Sequence, residues 1–254
     1  MIHYAVLGSG SNGNSYAITD GKATMLFDQG YSFVELKRRL ASVSIPLETV
    51  IGCCVTHLHP DHVHGLGTFA RKTGLPVYLN MDAILKEPVV YARLNFPSGV
   101  IRQVVTGVPF QAGPFSLSCF PTSHDSGGSV GWSVALEGKR FMLLTDTGFT
   151  TAEEKTIART SDILFLEANY DEHMLETGPY PKVLKDRIRG RWGHLSNDDA
   201  LRFLSESGFQ GSRVYFIHLS STNNNPALLA SQAGGLYHGP FTVCEKGRTY
   251  EGSL

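Results

Sequence analysis

The feature that most constrains this chain is a series of short apolar runs, rich in β-branched and aromatic residues, each ended by a polar or glycine-rich turn. They are Tyr4–Leu7, Tyr16–Thr19, Thr24–Phe27, Val50–Val55, Pro76–Leu79, Ile101–Val105, Phe115–Phe120, Gly131–Leu136, Phe141–Leu144, Ile163–Leu166 and Val214–Ile217. Runs of this length and composition read as strands, and the first three follow one another so closely that they form antiparallel hairpins. Helical patterns lie between them at Phe33–Leu40, His62–Arg71, Pro181–Arg189, Leu195–Ser207 and Asn225–Ala233. Ser196 with Asp199, and Asn225 before Pro226, mark helix starts; Gly208 and Gly234 mark stops. Strand meanders mixed with helices predict two sheets between helical layers. With 254 residues and no linker, repeat or low-complexity stretch, the expectation is one domain over 1–254.

Composition narrows the function classes. The net charge is −1, so a nucleic-acid partner would be met by a local patch and not by the whole surface. No apolar run approaches the ~20 residues that span a bilayer, so no membrane partner is expected. MIHYAVLGSGSNG lacks a basic segment followed by an apolar one, which argues against a signal peptide. Cys53, Cys54, Cys119 and Cys244 sit in apolar surroundings without CxxC spacing and read as reduced, buried thiols. A cytoplasmic location follows as the expectation, while the oligomeric state stays open.

Gly8, Gly10 and Gly13 spell a GxGxxG pattern after the first strand. A dinucleotide site requires a helix directly after those glycines, and Ser15–Phe27 reads as a hairpin instead. The pattern is therefore expected to be a tight inter-strand loop.

The informative segment is Thr-His-Leu-His-Pro-Asp-His at Thr56–His62, directly after the strand Val50–Val55. Alternation at the strand end aims His57 and His59 the same way, and two converging imidazoles are half of a zinc-type site. Beyond Pro60 the chain turns, so that Asp61 and His62 begin a helix and point to a neighbouring position. Further ligand candidates stand where other apolar runs stop: His124, Asp146 and His218. His64, His3, His173 and His238 read as surface or packing histidines.

On these residues the chain resembles the metallo-β-lactamase superfamily, whose hallmark is H-x-H-x-D-H followed by a His, an Asp and a His. The resemblance implies an α/β, four-layer αββα sandwich with two divalent metal ions, Zn²⁺ or Mn²⁺, at one edge. His57, His59 and His124 would hold the first ion, Asp61, His62 and His218 the second, and Asp146 would bridge them. A metal-bridging hydroxide would then attack the substrate, with Asp61 orienting it as a catalytic residue. A diiron redox role would call for more carboxylates.

Substrate information lies further along. His194 precedes the helix cap at Ser196, beside a helix N-terminus that favours anions. Upstream, residues 182–191 carry five basic side chains against Asp186 alone, and Lys182, Lys185 and Arg189 share one helical face opposite Leu184 and Ile188. Those three are the candidate substrate-binding residues. The segments Glu167–Asp171, Gly178–Pro181, Gly193-His194-Leu-Ser-Asn197, His218-Leu-Ser and Asn223–Asn225 are similar to the YycJ/WalJ-type subfamily of bacterial DNA nucleases. That similarity implies a metal-dependent phosphodiesterase, a DNA exonuclease with nucleic acid as its substrate, and His194 as phosphate contact and proton donor. The alternative is a small-molecule hydrolase (cyclic phosphodiesterase, thioesterase or lactonase) using the same metals. The chain has neither the long arm of tRNA-processing relatives nor an inserted cap domain.

Overall fold

The strands are buried along both faces, as continuous apolar runs require when a sheet is covered on each side. In the computed structural model, which describes residues Met1–Leu254, fourteen strands form two seven-stranded sheets. The first contains β1 (His3–Gly8), β2 (Ser15–Thr19), β3 (Thr24–Phe27), β4 (Val50–Cys54), β5 (Val77–Asn80) and β6 (Ile101–Val104). The second contains β7 (Phe110–Ala112), β8 (Phe115–Pro121), β9 (Val130–Leu136), β10 (Lys139–Leu144), β11 (Ile163–Glu167), β12 (Arg213–Ile217) and β13 (Phe241–Val243). The last strand, β14 (Tyr250–Ser253), returns to pair with β1. The strand orders are β14-β1-β2-β3-β4-β5-β6 and β13-β12-β11-β10-β9-β8-β7.

Helices cover the outer faces: α1 (Phe33–Ser42), α2 (Pro60–Val63), α3 (Leu66–Thr73), α4 (Met81–Lys86) and α5 (Pro88–Leu94) belong to the first half. Then come α6 (Ala152–Arg159), α7 (Glu172–Thr177), α8 (Lys182–Arg189), α9 (Asn197–Ser207) and α10 (Pro226–Leu236). Three apolar clusters fill the gaps between four layers. Tyr4, Tyr16, Phe27, Trp132, Phe141 and Phe165 pack between the sheets. Leu36, Leu40, Leu66 and Phe69 join the first sheet to its helices, and Phe203, Leu204, Leu229 and Ala158 do the same for the second. The Trp132 indole N–H donates to the Val55 carbonyl at 3.2 Å, so its one polar group crosses the sandwich satisfied. This is the αββα sandwich.

The two sheets repeat one plan. Each begins with antiparallel strands (β1–β3 and β7–β10) and continues with parallel ones (β4–β6 and β11–β13). At the change of direction both carry Leu-x-Asp-x-Gly, as Leu26–Gly30 and Leu144–Gly148. Asp28 and Asp146 adopt left-handed backbone, φ 58° and 54°, and His218 after β12 does so too at 58°. Left-handed backbone costs a non-glycine residue on the order of 1–2 kcal/mol, and here it turns each side chain out of the strand line toward the shared edge. The sequence shows no repeat on inspection, and this short element is shared by the two halves.

The helix expected over His62–Arg71 is two, α2 and α3, broken at His64–Gly65. Gly65 donates its N–H to the Gln29 carbonyl at 3.0 Å, and a side chain there would collide with the Tyr31 carbonyl. The glycine-rich loop after β1 leads into β2 and not into a helix, as the failed dinucleotide pattern requires. Three of the four expected caps stand: the Ser196 side chain accepts from Asp199, Asn225 from Ala227 and Leu228, and Gly208 closes α9 in left-handed conformation. Gly234 is not a stop, because α10 continues through it and Gly235 to Leu236.

All four cysteines are free and buried. Burial pushes every thiol pKa up, that of Cys119 to about 11. A thiol-specific reagent at pH 8 is therefore expected to label none of them in the native protein and all four after denaturation. Rapid native labelling of any one would contradict this packing.

Candidate metal centre

The strand ends deliver their side chains to one point on the sandwich edge. The structure brings together all seven residues expected from the sequence. His57, His59 and His124 form one group, Asp61, His62 and His218 another, and His57, His62 and Asp146 a third. Within each group the ligand atoms lie within 4.8 Å of one another. A fourth group joins Asp146 and His218 to Glu167 and His194.

Each imidazole is oriented by what its other nitrogen touches. His124 Nδ1 donates to the Gly193 carbonyl at 2.9 Å, which leaves Nε2 for the centre. Asp28 Oδ2 lies 2.7 Å from His62 Nδ1, and the same carboxylate accepts from the Thr56 N–H and hydroxyl. Glu167 Oε1 lies 3.0 Å from His218 Nδ1 and 2.8 Å from His194 Nδ1. This carboxylate–histidine pattern fixes ring orientation and raises ligand basicity wherever imidazoles hold metals.

The residues fit a cation on two grounds. His57 Nε2 is fully buried, faces the cluster and has no hydrogen-bond partner, a costly state that a coordinated ion relieves. The donor set, imidazoles with two carboxylates, suits divalent ions of the zinc and manganese type. Electrostatics agree. Burial lowers the pKa of His57, His59 and His124, keeping them neutral and able to ligate. Burial also opposes charge on His62, but Asp146, Asp28 and Asp61 outweigh it and push its pKa up to about 10. His218 is pushed up in the same way, against burial, by Asp146, Asp61 and Glu167. Burial works to raise Asp61 and Asp146, yet the surrounding imidazoles hold both well below the usual carboxylate range. A centre so rich in buried acid calls for positive charge, and a divalent ion supplies it.

Five contributors were not singled out from the sequence. Asn14, at the end of the glycine loop, directs Nδ2 to Asp61 Oδ2 at 3.1 Å and lies 3.0 Å from His62 Nε2. The loop that imitates a nucleotide motif thus buttresses the centre; its Ser9 hydroxyl accepts the His218 N–H at 2.7 Å. Asp28 and Glu167 orient imidazoles, as above. Asp28 stood at a strand end, the same signal that marked Asp146.

Arg187 is the last, and it is the basic residue of α8 that lines the pocket over the centre, where Lys182, Lys185 and Arg189 do not. A pocket of about 290 Å³ lies over the centre, lined by His59, Asp61, Asp146, His194 and His218, and closed on one side by Leu184, Arg187 and Ile188. Lys182, Lys185 and Arg189 are on the other side of the helix. Lys182 pairs with Asp186, Lys185 donates to the Glu176 carbonyl, and Arg189 pairs with Glu172 and Glu176. The helix has the two faces its periodicity implies, but the half-buried apolar pair Leu184 and Ile188 is on the pocket wall together with Arg187. Arg187 Nε reaches Asp125 Oδ2 at 2.5 Å across the rim.

His194 is partly exposed in that pocket. Each neighbour in Gly193-His-Leu-Ser-Asn197 has a task. A side chain on Gly193 would strike the carbonyls of Arg187 and Ile188, so only glycine lets α8 come this close. Leu195 is buried and its N–H donates to Glu167. Ser196 caps α9. Asn197 exchanges hydrogen bonds with Asn224, which ties α9 to the segment after His218. Of the histidines set aside, His64, His173 and His238 are exposed, and His3 meets Glu251 far from the centre.

With the geometry established, comparison with known proteins is informative. The β-lactamase superfamily domain model matches residues 23–219. The chain is 32% identical over 224 residues to the exodeoxyribonuclease WalJ of Streptococcus pneumoniae serotype 2, covering 87% of this chain and 82% of that one. It is 29% identical over 230 residues to the exodeoxyribonuclease YycJ of Bacillus anthracis, covering 88% and 84%. The crystal structure of YhfI from Bacillus subtilis, a metallo-β-lactamase fold protein, superposes with a TM-score of 0.74 over 99% of both chains at 19% identity. The converging strand ends, the histidine and carboxylate cluster and these similarities place the chain in the metallo-β-lactamase superfamily, among its WalJ/YycJ-type members, as a metal-dependent hydrolase.

Proposed function

We propose that residues 1–254 act as one domain, a cytoplasmic DNA exonuclease that hydrolyses phosphodiester bonds with two divalent ions, Zn²⁺ or Mn²⁺. One observation carries the choice of a phosphodiester. His194, held at Nδ1 by buried Glu167, lines the same pocket as the metal cluster and Arg187, and its Nε2 has no protein partner. The names of the relatives, exodeoxyribonucleases over most of their length, support DNA as the polymer.

His57, His59 and His124 would hold one ion and Asp61, His62 and His218 the other, with Asp146 between them. When bound, such ions supply Lewis acidity: they polarise the phosphate and make water a better nucleophile at neutral pH.

The protein's own groups complete the chemistry. Asp61 keeps Oδ2 in place through Asn14 at 3.1 Å and His218 at 3.4 Å, and its partly exposed carboxylate orients the attacking water and accepts its proton. His194 donates from Nε2 to the leaving oxygen, and the Glu167 carboxylate at Nδ1 stabilises the ring while it carries the second proton. Arg187 gives the pocket a cation for the non-bridging phosphate oxygens, with Asp125 as its resting partner.

Two experiments test this reading. Metal removal with a chelator is expected to abolish hydrolysis of single- and double-stranded DNA, with recovery on adding Zn²⁺ or Mn²⁺. His59→Ala and Asp146→Ala are expected to abolish it even with Zn²⁺ or Mn²⁺ added; activity that survives in metal-free protein contradicts the proposal. His194→Ala should lower kcat on DNA by roughly 10²- to 10⁴-fold, the usual contribution of a positioned general acid. Metal content measured by emission spectroscopy should stay at the wild-type level in that variant. An unchanged kcat would remove His194 from the chemistry, and rapid turnover of small thioesters or lactones with none of DNA would favour a small-molecule hydrolase.

A further inference from the structure

A second cavity, of about 490 Å³, adjoins the centre on the side of His124. It opens between the loop after β8, the start of α4 and the segment before His194. Asp125 lines this cavity and Arg187 lines the metal pocket, so their ion pair stands on the ridge between the two. The size is within the range of small-ligand pockets, and neither the hydrolytic chemistry nor the metal cluster makes use of it.

Its lining describes its occupant. The wall is polar, with Asn80, Thr122, Ser126 and Ser129 among its residues. Thr122 and Ser129 bond to one another, and Asn80 donates to the Gly128 carbonyl. Ser126, by contrast, is 3% exposed and its hydroxyl has no partner. Buried hydroxyls without partners are uncommon, and a ligand or ordered water completes them. The charges lining the cavity are paired: Asp82 with Lys86 at 2.8 Å and Asp125 with Arg187 across the ridge. The lining therefore offers an anion no free cation, and a neutral polar group is accepted.

Trp192 forms the remaining wall and is 56% exposed, where the other tryptophan, Trp132, is fully buried in the core. The Arg191 guanidinium lies over the Phe149 ring at 4.7 Å and 5.7 Å from the Trp192 ring. An open indole beside hydroxyl and amide groups, with phosphate excluded, has the chemistry that recognises a nucleobase and its sugar.

We propose that this cavity is the nucleoside subsite of the reaction: it takes the base and sugar of a nucleotide flanking the scissile phosphate. Trp192 stacks on the base and the Ser126 hydroxyl bonds to the base or sugar. The phosphate itself lies across the ridge, on the side of Arg187 and His194. The proposal rests on the nuclease reading but makes separate demands on the protein.

The test uses metal-loaded protein and single-stranded oligodeoxynucleotides that are intact or abasic at either nucleotide flanking the terminal phosphodiester bond. Trp192→Ala is expected to raise KM for intact DNA about 5- to 100-fold, as loss of one base–indole stack would. kcat should change little, and Trp192→Phe should restore most of the affinity. With the base missing at the recognised position, wild type and Trp192→Ala should converge. Because Trp132 is buried and Trp192 exposed, the part of the fluorescence change that Trp192→Ala abolishes reports Trp192. Titration with deoxynucleoside 5′-monophosphates should quench it, inorganic phosphate should not, and Ser126→Ala should weaken the nucleotide response. Equal KM values for wild type and Trp192→Ala on intact DNA, together with no nucleotide quenching, would overturn the subsite while leaving the nuclease reading standing. Nucleotide-specific quenching in a protein that cleaves no DNA would keep the subsite and remove the nuclease reading.

Discussion

Three carboxylates, on Asp28, Asp146 and Glu167, are buried to 2% exposure or less at the edge where the two sheets meet. Burying an ionised carboxylate costs several kcal/mol unless partners return what water supplied. The partners here are backbone and hydroxyl donors, which anchor each acid, and imidazoles, which receive what is left of its charge. Asp28 takes the Thr56 N–H and hydroxyl and then His62; Glu167 takes the N–H groups of Thr147 and Leu195 and then His194 and His218. Asp146 has the Thr145 hydroxyl at 2.6 Å and otherwise faces histidines. The rest of the centre follows from satisfying these acids. Imidazoles must surround them, their outer nitrogens are thereby fixed, and their inner nitrogens converge on the place where a divalent ion completes the balance.

The backbone shows how the fold meets this demand twice. Asp28 and Asp146 occupy equivalent places in the repeated plan of the sheets, both left-handed and both followed by glycine two residues on. A side chain on Gly30 would collide with the Asp61 carbonyl, and one on Gly148 with the carbonyls of Gly190 and Arg191. Each Leu-x-Asp-x-Gly element thus turns an acid into the centre and lets a ligand-bearing segment close over it. In the first half that segment carries Asp61 and His62, and in the second it leads into His194. The first adds candidate ligands to the cluster, and the second places His194 in the wall of the pocket above it.

This division explains what could be read from the sequence. His57, His59, Asp61 and His62 are adjacent along one strand end and one helix start, so local geometry alone announces them. His124, Asp146 and His218 were found because an apolar run stops at each. Asn14, Asp28 and Glu167 act through hydrogen bonds made across 47, 34 and 51 residues of chain. No local pattern encodes such bonds, and Asn14 was masked by a glycine pattern with a familiar but inapplicable meaning. On α8, periodicity separates two faces correctly, but which one meets the pocket depends on the wall it packs against. The charged face carries most of the basic side chains, but Glu172, Glu176 and Asp186 occupy them.

The same electrostatic logic separates the tasks of the two cavities. A phosphodiester carries its charge on the phosphate and none on the base or sugar. The metal cluster and Arg187 lie in one pocket, while the neighbouring one presents acids and unpaired neutral hydroxyl together with an indole face. The Asp125–Arg187 pair on the ridge satisfies both sides at rest, with Arg187 held close to the position where a phosphate would need it. An incoming phosphate competes with Asp125 for that guanidinium, and Asp125 stays behind on the side where negative charge excludes a second phosphate. In the proposed reading, a polyanion crossing this ridge would be placed in register by charge: phosphate toward the histidines, nucleoside toward Trp192.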